Sequence, residues 1–170
     1  VDAVVIGAGP GGYVAAIRLA QFGQSVLVVD RARIGGVCLN WGCIPSKAMI
    51  AASSLLESIQ GADTMGISVE GVSVDMDRMK TWKDGIVTRL TGGIAELFKR
   101  NKIETVAGQA SFAKDGSVVV ATAKGQLSVQ AKQVLIATGA SVVQLPGMEI
   151  DDDRFLSAKE ALDLTEVPEN

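Results

Sequence analysis

Hydrophobic positions in the first thirty residues change their spacing twice. The nearly continuous apolar run at 1–6 is typical of a strand buried on both faces, and so is the run at 25–29, which ends at Asp30. Between them, from Tyr13 to about Phe22, apolar residues recur with the period of a helix. This order of strand, helix and strand predicts an α/β fold with a parallel sheet.

The later part of the chain alternates between helical and extended patterns. Alternating residues around the turns Asp115-Gly116 and Lys124-Gly125 predict an antiparallel meander. Gly92-Gly93 interrupts a long helical pattern and predicts a bend or a close packing contact, while Ser157 and Glu160 predict a capping box. In order, the predicted elements are helices at 47–60 and 75–101, a parallel strand at 103–106, meander strands at 110–112, 117–122 and 126–130, and a buried strand at 133–137.

The composition indicates a folded globular domain. Hydrophobic residues make up 48% and charged residues 21% of the 170 positions. The net charge of −3 argues against nucleic acid and against a basic membrane-binding patch. Two cysteines without a disulfide framework fit a reducing compartment. Because the sequence begins within a strand without methionine and ends in a linker-like stretch at 167–170, we expect it to be cut from a longer protein.

Three glycines, Gly7, Gly9 and Gly12, follow the first strand directly and open the first helix. Their spacing, G-x-G-x-x-G, predicts a dinucleotide site in this context of strand, turn and helix. The first glycine permits the tight turn, the second lets the backbone approach a pyrophosphate, and the third lets the helix pack against the strand. The amide groups and the dipole at the start of the helix then attract the anion.

Two further features lie where predicted strands end. Asp30, 18 residues after the last glycine of the motif, can accept hydrogen bonds from a ribose. The pattern does not separate NAD from FAD, and Arg31 and Arg33 leave open a 2′-phosphate and hence NADP, although such arginines are also typical of solvated surface. Thr138-Gly139 ends the strand predicted at 133–137 and offers a hydroxyl and a close backbone approach at the same edge.

Both cysteines of the chain, Cys38 and Cys43, lie in one short segment at 35–47. In a regular helix, residues five positions apart have Cα atoms roughly 8–9 Å apart. A disulfide tolerates a separation of about 7 Å. A bond between the two sulfurs would therefore require the backbone to leave helical geometry, which Asn40 and Gly42 permit.

The residues after Cys43 indicate a helix. Pro45 suits a first helical turn, which places Cys43 at or just before the positive end, and Lys47 follows one turn later on roughly the same face. Two nearby cysteines also fit buried small residues, half of a metal site or a structural staple. The chain has no histidine or further cysteine, and closing so short a loop contributes only roughly 2 kcal/mol. The segment therefore predicts a redox-active dithiol.

Together these residues resemble the flavoprotein disulfide reductases, class I of the pyridine nucleotide–disulfide oxidoreductases. The carrying segments are Gly7-Ala-Gly-Pro-Gly-Gly12, Gly36-Val-Cys-Leu-Asn-Trp-Gly-Cys-Ile-Pro-Ser-Lys47 and Ala137-Thr-Gly139. The cysteine motif is highly specific for this superfamily. Its ending, Ile44-Pro-Ser-Lys47, and the helical sequence around Thr81-Trp-Lys83 favour the dihydrolipoamide dehydrogenases over the glutathione and mercuric reductases.

The resemblance implies a Rossmann-like FAD-binding domain. Residues 1–145 would be its first, incomplete segment, and residues 146–170 a linker toward an absent NAD-binding domain. Cys38 would be the interchange thiol, which we expect to be the more exposed, and Cys43 the charge-transfer thiol beside the flavin. The implied cofactor contacts are Gly7, Gly9, Gly12, Asp30, Gly36, Lys47, Ala110, Thr138 and Gly139, with Asp30 standing where the family usually has glutamate.

The implied activity belongs to a full-length enzyme. It would oxidise dihydrolipoamide through Cys38, Cys43 and FAD and reduce NAD, as a homodimer serving the lipoyl domain of 2-oxoacid dehydrogenase complexes in the bacterial cytoplasm or the mitochondrial matrix. The family's second flavin segment and its catalytic His–Glu pair have no counterpart in the sequence, so we expect the isolated chain to be inactive. The alternatives are a glutathione- or mercuric-type reductase fragment, and a non-catalytic FAD- or NAD-binding module whose cysteines sense redox state.

Overall fold

The computed structural model describes residues 1–151 and 154–168, which leaves the last two residues of the linker-like ending outside the description. The chain forms two compact units. Unit 1 comprises Val1–Asn40 and Arg89–Ser141, and unit 2 comprises Trp41–Thr88 and the chain from Val142 onward. The elements are β1 (Ala3–Ile6), α1 (Pro10–Gln21), β2 (Val26–Asp30), α2 (Gly36–Trp41), α3 (Cys43–Gln60), a 3₁₀ turn (Ala62–Met65), α4 (Met76–Arg100), β3 (Glu104–Ala107), β4 (Gln109–Phe112), β5 (Val118–Thr122), β6 (Gly125–Val129), β7 (Gln133–Ile136) and α5 (Ala158–Ala161).

Unit 1 is built on a four-stranded parallel sheet with the strand order β3-β2-β1-β7. Strand β1 pairs with β2 on one side and β7 on the other, so that Val5 lies beside Val28 and Leu135. Strand β2 pairs in turn with β3. The predicted parallel sheet, including its third strand and its returning strand, is confirmed.

Both faces of β1 and β2 are covered, as continuous apolar runs require. On one face the sheet packs against the meander, in a core cluster made of Val4, Ile6, Leu27, Val29, Val118 and Val120. On the other face α1 lies so close to β1 that a Cβ atom at Gly12 would stand 3.4 Å from Cγ1 of Val5. Unit 1 therefore has three layers: helix α1, the parallel sheet and the meander.

The meander has the predicted antiparallel order β4-β5-β6. Its two turns contain glycines with positive φ, +83° at Gly116 and +124° at Gly125, a conformation that side chains disfavour. In the first turn, Oδ1 of Asp115 accepts hydrogen bonds from the backbone N–H and the hydroxyl of Ser117, at 3.0 and 2.7 Å. The turn residues seen in the sequence therefore form the turns of the structure.

Strand β7 differs from its prediction as a buried strand. Its Leu135 side chain is 39% exposed and its Ile136 side chain 64% exposed. Within the described part of the chain, β7 pairs with β1 alone and forms an edge of the sheet. An apolar run predicts that a strand lies in a core, but it does not predict how many of its side chains are covered by neighbouring residues.

The helix boundaries also correct the sequence prediction. Helix α1 begins at Pro10, three residues before the apolar pattern does, because proline fits the first turn of a helix. The short helix α2 was not predicted. Helix α3 begins at Cys43, as the position of Pro45 indicates.

Helix α4 runs through Gly92 and Gly93 without interruption. Among the residues that the structure describes, no neighbouring heavy atom lies within 4 Å of a Cβ atom built at either glycine, so the predicted close packing contact is wrong. Its buried apolar residues in unit 1 are Ile94 and Phe98, one helical turn apart. No helix within the described ranges is both long and apolar enough to cross a membrane.

Unit 2 contains a buried lysine that no sequence pattern indicated. Lys83 on α4 is 2% exposed, and its ammonium group donates to the carbonyl of Leu162 at 2.6 Å and to Oδ1 of Asp163 at 2.9 Å. Leu162 directly follows α5, whose other end has the predicted capping box between Ser157 and Glu160. Lys83 therefore caps the carboxyl end of α5 and joins that helix to α4.

Lys80 and Asp84 complete this cluster of charges. The Lys80 ammonium group lies 3.0 Å from Asp84 and 3.5 Å from Asp163. Partial burial raises the pKa of the Asp163 carboxyl, but hydrogen bonding and charge attraction from Lys83, with further attraction from Lys80, outweigh burial and leave that pKa below its usual value. The charged form of Asp163 is therefore the form that the fold stabilises.

Replacing Lys83 by methionine should destabilise the chain by about 2 kcal/mol, because the Leu162 carbonyl and Asp163 lose a charged hydrogen-bond donor. Lys80→Met is the matched control, since the Lys80 side chain is far less buried than that of Lys83 and its solvent-screened ion pairs contribute about 0–1 kcal/mol. Urea unfolding followed by circular dichroism measures both. Equal losses for the two variants would contradict the capping role of Lys83.

The charge of Asp163 also predicts a pH dependence. The native pKa is lowered, so the carboxylate contributes stability above the unfolded value of about 3.9, and that contribution is lost as the pH falls through the native pKa. Wild type should therefore be more stable than Asp163→Asn at pH 7, with the difference shrinking below about pH 4. Thermal unfolding from pH 7 to pH 2.5 tests this, and a difference that stays constant across the range would refute it.

Candidate functional site

The candidate site lies at the carboxyl edge of the parallel sheet in unit 1. Strand β1 runs into Gly7, β2 ends at Asp30, and β7 is followed by Thr138. Strand β1 has β2 on one side and β7 on the other, so the chain connections diverge at this point of the sheet. Open α/β sheets bind their ligands outside the carboxyl ends of the strands at such a point.

Two glycines of the motif are required by the fold itself. Gly7 has a φ of +107°, and a Cβ atom there would overlap the carbonyl oxygen of Ala137. A Cβ atom at Gly12 would overlap the carbonyl oxygen of Gly7. The segment after β7 therefore excludes a side chain at Gly7, and the packing of α1 on β1 excludes one at Gly12, which is the role predicted for the third glycine.

Gly9 differs from both. Its φ of −75° and ψ of −176° are ordinary extended values, and a Cβ atom there would meet only Cα of Gly36, at 3.8 Å. Nothing within unit 1 therefore requires glycine at this position. It caps α1, whose first amide groups have no partner within the helix. Bare backbone beside the positive end of a helix fits a pyrophosphate.

Asp30 is held by backbone groups on both of its carboxylate oxygens. Oδ2 accepts a hydrogen bond from the Ala8 N–H at 2.6 Å, and Oδ1 accepts one from the Ala32 N–H at 2.7 Å. Each carboxylate oxygen has a second acceptor site, so contact with a ribose is compatible with these bonds. The sequence predicted the place of this acid but not its bond to the glycine loop.

The turn before α2 also contacts the glycine loop. The Gly35 N–H donates to the Ala8 carbonyl at 2.8 Å. Gly36 has a φ of +59°, and a Cβ atom there would lie 2.6 Å from Cα of Gly9. The two backbones touch at this point, which accounts for the glycine predicted to contact the cofactor at position 36.

Thr138 and Gly139 follow β7 at the same edge, whereas Ala110 lies on the meander. Thr138 is exposed, and Gly139 has a φ of +69°. The Gly108 N–H donates to the Asp30 carbonyl at 2.9 Å, and strand β4 begins at the next residue. Ala110 on β4 is half-buried and packs against the core cluster. Whether its backbone contacts an adenine stays a prediction.

The arginines after β2 point to no clear phosphate site. The Arg31 guanidinium donates to the hydroxyl of Ser141 at 3.3 Å, and both Arg31 and Arg33 are exposed. Within the described ranges, no three histidine, cysteine, aspartate or glutamate side chains come together as metal ligands.

The cysteine segment breaks its helix where the sequence indicated. Cys38 is the third residue of α2 and Cys43 the first residue of α3, and Gly42 between the helices has non-helical angles of −136° and −114°. The break falls at Gly42 rather than at Asn40. The Asn40 side chain instead donates to the carbonyls of Ile34 and Gly36, at 3.1 and 2.9 Å, and fastens α2 to the preceding turn.

The expectation that Cys38 is the more exposed cysteine concerns the full-length enzyme and stays a prediction. In the chain alone, Cys43 is exposed and Cys38 is half-buried. Cys43 is the first residue of α3. Cys38 lies in α2, which directly follows the turn that contacts the glycine loop. Lys47 is also exposed, one turn after Cys43 on α3.

Sequence reasoning missed two residues of this site, Ala8 and Gly35. Both act through backbone groups, which every residue type carries. The one available signal was the glycine pair at 35–36, since Gly35 has a φ of +102° and a Cβ atom there would lie 2.8 Å from Cβ of Leu39.

Comparison with known proteins agrees with this geometry. The family model described as pyridine nucleotide-disulphide oxidoreductase matches residues 1–170. Dihydrolipoyl dehydrogenase of Bacillus subtilis (strain 168) is 48% identical over 98% of this chain and 35% of its own length. The enzyme of the same name from Geobacillus stearothermophilus is 44% identical over 99% of this chain and 36% of its own.

A solved structure is also similar. The crystal structure of LpdA from Mycobacterium tuberculosis superposes with a TM-score of 0.88 and 26% identity, over 99% of this chain and 38% of that one. The chain thus spans about a third of the length of these relatives. The glycine loop, the two-cysteine segment and the match along the whole sequence lead to one conclusion: the chain belongs to the pyridine nucleotide-disulphide oxidoreductase family.

Proposed function

We propose that this chain is the FAD-binding and redox-disulfide portion of a dihydrolipoamide dehydrogenase. The observation that carries the proposal is the bare backbone at Gly9, which no contact within unit 1 requires. The cysteine pair in successive helices, Cys38 in α2 and Cys43 in α3, supports it. Relatives named dihydrolipoyl dehydrogenase favour this reading over the glutathione- and mercuric-type reductases and over a non-catalytic redox sensor.

The proposed flavin contacts divide by task. The loop from Gly7 to Gly12 and the start of α1 would hold the pyrophosphate, with Gly36 closing the other side of the loop. Asp30 and Ala110 would face the adenosine end, and Thr138 and Gly139 a further part of the nucleotide. Lys47 would lie near the flavin ring. When bound, FAD would supply an acceptor for the two electrons of a reduced cysteine pair.

The cysteines would exchange with a substrate dithiol in two steps. One thiolate of dihydrolipoamide attacks the sulfur of Cys38 in a Cys38–Cys43 disulfide, forming a mixed disulfide and releasing the thiolate of Cys43. The second substrate thiol then attacks the substrate sulfur that is bonded to Cys38. This step forms the ring disulfide of lipoamide and releases the thiolate of Cys38. Two electrons pass to the cysteine pair, and two protons leave the substrate.

Other parts of the reaction are proposed for the whole protein. A base must take the substrate's proton, and near neutral pH histidine is the natural choice. This chain contains no histidine, so that base would come from another subunit or segment. The same proposal includes electron transfer to NAD, a homodimeric assembly and a lipoyl domain as partner. It also includes a location in the cytoplasm or the mitochondrial matrix. So does a division into a flavin segment at 1–145 and a linker at 146–170.

Gly9→Ala should separate ligand binding from folding. The chain tolerates a Cβ atom there, so the free energy of unfolding should change by less than about 0.5 kcal/mol. The methyl group would keep a pyrophosphate from the backbone amides, and affinity for FAD should fall at least about tenfold with the loss of one charge-assisted hydrogen bond. Titration of flavin fluorescence measures binding, and urea unfolding measures stability.

Gly12→Ala is the matched contrast, because its Cβ atom would overlap the Gly7 carbonyl oxygen. It should destabilise the fold by about 1–3 kcal/mol or more. If wild type bound NAD but not FAD, the proposed function would be wrong. If Gly9→Ala bound FAD as tightly as wild type, the pyrophosphate would lie elsewhere.

Binding of the flavin should reverse the order in which Cys38 and Cys43 react with an alkylating reagent. In the flavin-free chain, limiting iodoacetamide should alkylate the exposed Cys43 before the half-buried Cys38. With FAD bound, the proposed position of Cys43 beside the flavin should protect it, and Cys38 should react first. Mass spectrometry of tryptic peptides gives the ratio. A ratio that is unchanged by saturating FAD would argue against a flavin next to Cys43.

A further inference from the structure

The peptide of Ala8 is held from both sides. Its side chain is buried, with 0% exposure. Its N–H donates to Oδ2 of Asp30 at 2.6 Å, and its carbonyl accepts the N–H of Gly35 at 2.8 Å. A single residue of the glycine loop is thus joined to the end of β2 in one direction and to the turn before the first cysteine in the other.

Asp30 is itself fixed in place. Its second carboxylate oxygen accepts the Ala32 N–H at 2.7 Å, and its backbone carbonyl accepts the Gly108 N–H at 2.9 Å. The side chain cannot rotate without losing a bond to a backbone amide. Since hydrogen bonds to a charged acceptor are about twice as strong as neutral ones, this carboxylate is a firm support for the loop.

The support extends to the cysteine helix. Gly9 follows Ala8, Gly36 follows Gly35, and a Cβ atom on Gly36 would lie 2.6 Å from Cα of Gly9. Helix α2 begins at Gly36 and carries Cys38 as its third residue. A shift of the glycine loop would therefore move the start of this helix.

We propose that Asp30 is a positioning residue that holds the glycine loop against the start of α2, so that one carboxylate sets both the pyrophosphate loop and the environment of Cys38. This role differs from accepting a hydrogen bond from a ribose, because it operates without a bound nucleotide. Only its consequence for flavin affinity rests on the proposed function.

Asp30→Asn tests this inference in the 170-residue chain. An amide is uncharged and has a single acceptor oxygen, so the Ala8 N–H loses its charge-assisted hydrogen bond in either orientation of the amide. In the flavin-free variant, hydrogen exchange of the Ala8 amide, measured by NMR, should accelerate at least about tenfold with the loss of a charged hydrogen bond. Alkylation of Cys38 should accelerate as well, and affinity for FAD should fall.

Asp2→Asn is the matched control at the opposite end of the same strands. Oδ2 of Asp2 accepts the backbone N–H and the hydroxyl of Ser25, at 2.8 and 2.7 Å, and Oδ1 lies 2.7 Å from the Lys132 ammonium. This carboxylate also joins the starts of β1 and β2 but has no bond to Ala8. Its loss should lower stability while leaving Ala8 exchange, Cys38 alkylation and FAD affinity at wild-type values.

The readouts distinguish this inference from the proposed function. If Asp30→Asn weakened FAD binding alone, with Ala8 exchange and Cys38 alkylation unchanged, Asp30 would act on the cofactor and the inference would be overturned. If wild type did not bind FAD, the proposed function would fail, and the two flavin-free readouts would still decide the inference.

A measurement on wild type covers the case in which Asp30→Asn does not fold. A short bond to a carboxylate deshields the donated proton, so the Ala8 amide proton should resonate downfield of those of Gly9 and Gly11. A resonance upfield of both would overturn the inference.

Discussion

Helix α1 and strand β1 approach each other at Gly12 with no side chain between the two backbones. A Cβ atom there would overlap the Gly7 carbonyl oxygen, so this contact exists only for glycine. Because the helix lies this close, its first turn and its positive end are directed to the carboxyl edge of the sheet. The half-buried backbone of Gly9, the buried Ala8 and the contact between Gly9 and Gly36 all lie beside that one approach.

The sequence predicted the sheet and the meander because their signals are local. Alternation, turn glycines and continuous apolar runs each describe a strand and its nearest neighbours, and the pairing of Val5 with Val28 follows from two such runs. Exposure depended on what lies beyond the strand, so the burial of Leu135 and Ile136 was overestimated. The same reason explains Gly92-Gly93: among the described residues, nothing packs closely against these two positions, although Ile94 and Phe98 of the same helix are buried.

The candidate site divides in a similar way. Gly7, Gly12 and Asp30 were predicted in place because their residue types are tied to a conformation or a charge. The hydrogen bond from the Ala8 amide to Asp30 was not predicted, because every residue type except proline has a backbone N–H and the sequence therefore does not indicate it. Cys43 is the more exposed cysteine in the chain alone, where exposure depends on local packing, whereas the order predicted from the two roles concerns a complete enzyme.

Strand β7 brings one more consequence, for the behaviour of the protein in solution. Within the described residues, one side of this strand bonds to β1, and the other side presents backbone donors and acceptors together with the apolar side chains of Leu135 and Ile136. Such an edge is a template for another extended chain. The strand that leads to Thr138 is therefore also an aggregation hazard, and any strand that paired with its free edge would reduce that hazard.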